Sequence, residues 1–266
     1  MKSNSLKVLF LFIFFNSCSK VPITNRRQMN LLPESEMVSM SLTEYQSFLK
    51  QNPPVNGTTD AQMVKNIGAK IQNAVTQYMN QNKMGDRISG YKWEFNLVNS
   101  KEINAWCMPG GKVVVYSGLL PVTKDEASLA IVMGHEIGHA VARHGNERMS
   151  QGLLAQLGGV ALDVALASKS AETRNIFLTS YGVGSTLGVL AFSRTQESEA
   201  DKLGIIFSAM AGYDPRVAIS FWQRMSASSG GGKPPEFLST HPSDQTRIKD
   251  LQAFMPKAMT YYKGKL

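Results

Sequence analysis

The stretch "IVMGHEIGHAVARH", residues 131–144, sets two histidines four positions apart with a glutamate directly after the first. On a helix, positions i and i+4 share one face, so His135 and His139 can aim ring nitrogens at a single point. Zn²⁺ takes neutral imidazole, and a catalytic zinc needs three protein ligands plus an open position for water. Glu136 reaches the side of that open position, where it can accept a proton from the attacking water.

Two features weigh against an ordinary helix with surface histidines. Three of the four histidines of the chain fall within residues 135–144. Gly134 and Gly138 also sit beside the ligand candidates, where each costs up to about 1 kcal/mol of helix stability against alanine. Glycines there let a second chain segment approach closely, as a metal cleft requires. The helix is expected to start near Thr123, with Thr123 and Glu126 as a capping box, and to end near Gly145. His144 then points roughly 140° away from His139. It reads as a helix-end residue facing the dipole, not as a ligand.

The best source of a third ligand is "SRTQESEADKLG", residues 193–204. Glu197 and Asp201 are four apart on one helix face. Glu197 would bind the metal and Asp201 would hold a histidine ring from behind, as ligating histidines require. Glu199 competes as a ligand, but its side chain points about 200° from that of Glu197.

Working outward, Met63, Ile67, Ile71, Val75 and Met79 mark a helix over about 59–82. Residues 91–98, 103–108 and 112–117 read as three short strands, with "PGG" as the turn before the last. Residues 149–192 read as a helical hairpin rich in small residues. Further helices are expected over about 194–211, from "YDPRVAISFWQRM" with Asp214 as cap, and at the C-terminus, capped at Ser243. The fold class is therefore α+β: a mostly helical domain with a small three-stranded sheet beside the motif helix.

The N-terminus differs from the rest. Lys2 and Lys7 precede an apolar run from Val8 to Phe15, far short of the roughly 20 residues that span a bilayer. This is the pattern of a signal peptide over 1–17, and "FNSC" is similar to a bacterial lipobox with Cys18 as the lipidated residue. Residues 18–34 then read as a tether and 35–266 as a single domain. With only Cys18 and Cys107 there is no disulfide framework; Cys107 reads as a small core residue. The formal charge of +8 is scattered rather than gathered, so no nucleic-acid groove is expected.

"HEIGH" followed by "SRTQESEAD" resembles the zinc endopeptidases of metallopeptidase family forty-eight, over about residues 30–255. The group includes HtpX-type, CAAX prenyl and OMA-type proteases, and the chain looks most like its bacterial periplasmic lipoprotein members. The resemblance implies one zinc held by His135, His139 and Glu197, with Glu136 as base and Asp201 behind a ligand. "INAWCMPGGKVVVYSGLL" resembles a segment implied to be an edge strand for substrate. There Asn104 leads in and Val113, Val114, Val115 and Tyr116 pair with an extended chain. "THPSDQTRI" resembles a segment that implies His241 and Arg247 at the rim, where they would stabilise an oxyanion; His241 could instead touch the zinc.

The function implied is hydrolysis of unfolded or misassembled envelope proteins. The site would face the periplasm, and a lipid on Cys18 would hold the chain at the outer membrane. The competing expectation is a latent, chaperone-like assembly factor that binds such proteins, with residues 149–192 covering the metal.

Overall fold

The computed structural model describes residues 18–157, 173–177, 192–227, 237, 241 and 245–264. The expected leader, most of the expected 149–192 hairpin and the Ser243 cap lie outside the described residues.

The segment expected as a tether is folded. Strands β1 (Cys18–Lys20) and β2 (Arg27–Met29) form an antiparallel hairpin. Val21 is fully buried in the main core. Helix α1 (Glu34–Gln51) follows Pro33 and carries Glu34 and Glu36 in its first turn, where they favour the positive helix end. Helix α2 (Thr59–Gln81) matches its expected span, and the Thr58 hydroxyl caps it by accepting from the Ala61 N–H.

The three expected strands form as β3 (Glu94–Val98), β4 (Ala105–Met108) and β5 (Lys112–Tyr116), in the order β3-β5-β4. β3 runs parallel to β5 and β4 antiparallel. Gly110 and Gly111, with φ of 89° and 80°, make the β4–β5 turn. β5 is buried at every residue. Val113 and Val115 face the main core, while Val114 and Tyr116 face Tyr45 and Phe48 of α1. A strand covered on both faces reads as an unbroken apolar run, which is what "KVVVY" shows. This corrects the expectation that Val113–Tyr116 is the substrate's edge strand. Both sides of β5 are occupied, and the edge strands are β3 and β4.

Helix α3 (Glu126–Val141) is the central element, buried without interruption from Ser128 onward. Asp125, not Thr123, is its N-cap: the carboxylate accepts from the Ser128 N–H at 2.7 Å. Thr123 donates its hydroxyl to the Leu120 carbonyl instead, and Lys124, with a φ of 68°, separates the short helical turn Leu120–Thr123 from α3. Helix α4 (His144–Leu157) begins directly after Arg143, whose φ is 60°. Helix α5 (Arg194–Met210) opens on a full capping box between Ser193 and Gln196. Helices α6 (Val217–Ala227) and α7 (Gln245–Met259) complete the described chain. Among the described residues no helix is long and apolar enough to cross a membrane.

The most extensive helix–helix contact is α3 against α5. A Cβ on Gly134 would lie 2.8 Å from the Gly204 carbonyl oxygen, and one on Gly138 would lie 2.9 Å from that of Ala200. Gly204 returns the relation, since its Cβ would come within 2.7 Å of the His135 nitrogen. The glycines of the motif are thus there for close backbone approach, and the approaching segment is the one that carries Glu197 and Asp201.

Candidate active site

The contact of α3 with α5 brings the motif and the "ESEAD" residues together in a buried cluster, and His241 joins from the segment before α7. His135, His139, Glu197 and His241 each offer a donor atom, all within 4.8 Å of one another. His135 Nε2 lies 3.1 Å from His139 Nε2 and 3.2 Å from His241 Nδ1. Glu197 carboxylate oxygens lie 3.4 Å from His135 Nε2 and from His139 Nε2, and 2.8 Å from His241 Nδ1.

The donor set fits a zinc ion. Four nitrogen or oxygen donors at the usual tetrahedral bond length stand about 3.3 Å apart, close to the separations here. Three ring nitrogens and a carboxylate are also too rich in lone pairs to converge in a buried space unless a cation or proton lies between them. Without a metal, His135 is pushed up to about 9. Burial and Arg247 oppose this, but the hydrogen bonds to Asp201 and Glu197 win. A metal would have to displace that proton. Burial pushes the His139 imidazole well down. The Glu197 carboxyl stays well below the usual range: burial opposes, but His241 and Arg247 outweigh it.

Glu136 is buried beside the cluster, and among the described residues its Oε1 has no hydrogen-bond partner. That oxygen is 3.4 Å from His241 Nε2. Burial pushes this carboxyl up, against the pull of His241 and His135. It thus has the free lone pair that a proton acceptor needs.

Asp201 stands where the sequence places it, with Oδ1 at 2.9 Å from His135 Nδ1. Arg247 differs from expectation. It is buried rather than at the rim, donating from Nε and Nη2 to both oxygens of Asp201 at 2.6 and 2.7 Å. Its Nη1 lies 3.0 Å from Glu197 Oε2, and the guanidinium stacks 3.5 Å above the Trp222 ring. With these contacts the fork braces the donor cluster from behind. His241 likewise stands among the donors.

Substrate-side expectations divide. Asn104 is buried, its side-chain oxygen accepts from the Ala105 N–H, and it leads into β4. β4 packs on α3 and, among the described residues, pairs with a strand on one side only. Cys107 of β4 and His139 line one small cavity. Val113–Tyr116 pack into the main core and against α1. Cys18 lies in β1, and nothing at its side chain is described.

Two residues stand differently from expectation, although His144 stays outside the donor set. The turn at Arg143 breaks the helix, so the 140° projection fails and His144 faces back, with Nδ1 2.9 Å from His139 Nδ1. Its Nε2 lies 3.1 Å from Glu199 Oε2. Glu199, weighed only as a rival ligand, is held down to about 2: burial opposes, but hydrogen bonds from His144, Arg26 and Thr24 prevail. The crowding of three histidines into ten residues was the signal that His144 belonged to the site.

The chain matches Peptidase family M48 over residues 68–255. It is 32% identical over 256 residues to the mitochondrial metalloendopeptidase OMA1 of Schizosaccharomyces pombe, covering 92% of this chain and 68% of the relative. The human mitochondrial metalloendopeptidase OMA1 is 31% identical over 96% of this chain and 49% of its own length. The Beta-barrel assembly-enhancing protease of Escherichia coli is 32% identical over 66% of this chain and 38% of its own length. With the donors, the free carboxylate and the close helix pair all in place, these matches show that the chain belongs to Peptidase family M48 and is a metalloendopeptidase.

Proposed function

We propose that the metal is zinc and that the chain hydrolyses extended segments of unfolded or misassembled proteins in the bacterial cell envelope. The observation that carries this reading is the convergence of His135, His139, Glu197 and His241 beside a carboxylate with an unpartnered oxygen. His135, His139 and Glu197 would hold the ion, which when bound supplies a Lewis acid for the scissile carbonyl and the attacking water. Glu136 takes the proton from that water and passes it to the leaving amine. Asp201, gripped by Arg247, keeps the His135 ring in place.

A catalytic site keeps one position open, whereas a four-donor set is closed. His241 is therefore the donor that gives way when substrate enters, and its ring then lies near the developing negative charge. The unpaired side of β4 beside α3 supports an extended substrate, because main-chain pairing reads backbone rather than side chains. The envelope setting, with a lipid on Cys18, is supported by the leader pattern. It also fits the Escherichia coli relative, whose name is Beta-barrel assembly-enhancing protease.

One preparation tests this. The purified chain is expected to degrade an unfolded casein-type substrate, to stop with a chelator and to resume with zinc, while a compact protein resists. Equal cleavage of both substrates, or chelator-resistant cleavage, would contradict the reading. In cells, palmitate labelling should disappear in Cys18→Ala; persistent labelling would remove the anchor.

A further inference from the structure

His135 and His139 are supported from opposite sides by similar devices. Behind His135 stand Asp201 and Arg247. Behind His139 stand His144, Glu199 and Arg26, and Arg26 comes from the β1–β2 hairpin, far away in sequence. Its guanidinium donates to both oxygens of Glu199 at 2.9 Å and to both oxygens of Glu147 at 2.6 and 2.8 Å. The Thr24 hydroxyl donates to Glu199 Oε1 at 2.6 Å. Gln196 of the α5 cap also donates to Glu147.

The proton positions follow from these contacts. A carboxylate surrounded by Arg26 and Thr24 donors only accepts, so His144 must present Nε2–H to Glu199. Across the 2.9 Å contact between the Nδ1 atoms of His144 and His139, one must donate and the other accept. If His144 donated, its ring would be a cation and the His139 proton would sit on Nε2, pointing at the donor cluster. If His139 donates, His144 is neutral and His139 Nε2 offers a lone pair to the cluster. Only the second arrangement is compatible with a metal.

We propose that His144 and Glu199 are positioning residues that fix His139 as its Nδ1–H tautomer, and that Arg26 locks this relay to the N-terminal hairpin. The hairpin is thereby part of the metal centre's support, which a tether would not be. The proposal rests on the zinc reading above.

The test is the zinc affinity of the full chain by chelator competition, for the parent, His144→Leu and His144→Asn. Loss of a partner behind a metal-bound histidine is worth about 10–100-fold in affinity. His144→Leu is expected to show that loss. His144→Asn, which keeps an acceptor near the position of Nδ1, is expected to bind within a few-fold of the parent. In the zinc-loaded parent, side-chain ¹⁵N spectra should show His144 protonated on Nε2 alone. Parent-like affinity in His144→Leu, equal loss in both variants, or a doubly protonated His144 would overturn the relay and leave the zinc site standing. A parent that binds no zinc would overturn the metal reading and the relay with it. Should His144→Leu fail to fold, the asparagine variant and the His144 spectrum decide.

Discussion

Glu136→Gln is expected to lower peptide hydrolysis by about 10²–10⁴-fold, the usual worth of a general acid–base group, with zinc content at the parent level. Glutamine keeps the volume and the buried position but has no basic lone pair for a water proton. Glu136 is also not one of the four converging donors, and among the described residues its Oε1 makes no hydrogen bond, only a 3.4 Å contact with His241 Nε2. Single-turnover rates on an unfolded substrate, paired with metal analysis, read both halves of the expectation. Hydrolysis at the parent rate would remove Glu136 from the reaction. Loss of zinc together with activity would instead make it a structural support of the centre.

The second large effect falls on stability. Arg247→Leu leaves Asp201 and Glu197 buried without the cation that grips them. Removing one partner of a buried ion pair costs about 3–5 kcal/mol, because the remaining charge stays desolvated. The contact over Trp222 is lost as well. The metal-free variant should therefore unfold at markedly lower denaturant than the metal-free parent. Arg247→Lys, which restores charge without the two-pronged geometry, should fall between them. An unfolding midpoint unchanged in Arg247→Leu would contradict the bracing role and return Arg247 to the substrate side.

The first of these effects falls where sequence and structure agree, and the second on Arg247, which the resemblance implies at the rim and the structure buries. The spacing of His135, Glu136 and His139 projects correctly because the three lie inside one unbroken helix. Glu197 and Asp201 project correctly for the same reason on α5. Gly134 and Gly138 were legible as points of close approach because their cost to a helix needs a compensating contact.

What failed to project crosses a break or depends on pairing. His144 was placed by extending α3 through Arg143, a residue whose left-handed backbone cannot be read from its side chain. Thr123 was favoured as a cap over Asp125 because "TKDE" satisfies a spacing rule, yet capping is decided by which side chain reaches the Ser128 N–H. β-branched density identified β5 as a strand, but its place between β3 and β4 is a property of the whole sheet. The role of the hairpin was hidden for a related reason: Arg26 meets Glu199 across 173 positions of sequence.

The zinc reading requires His135, His139 and Glu197 together, with Glu197 essential. Elemental analysis of the purified chain and of Glu197→Ala decides it. The expected result is one zinc per chain in the parent and close to none in the variant; stoichiometric zinc in Glu197→Ala, or a parent that holds none, would contradict it.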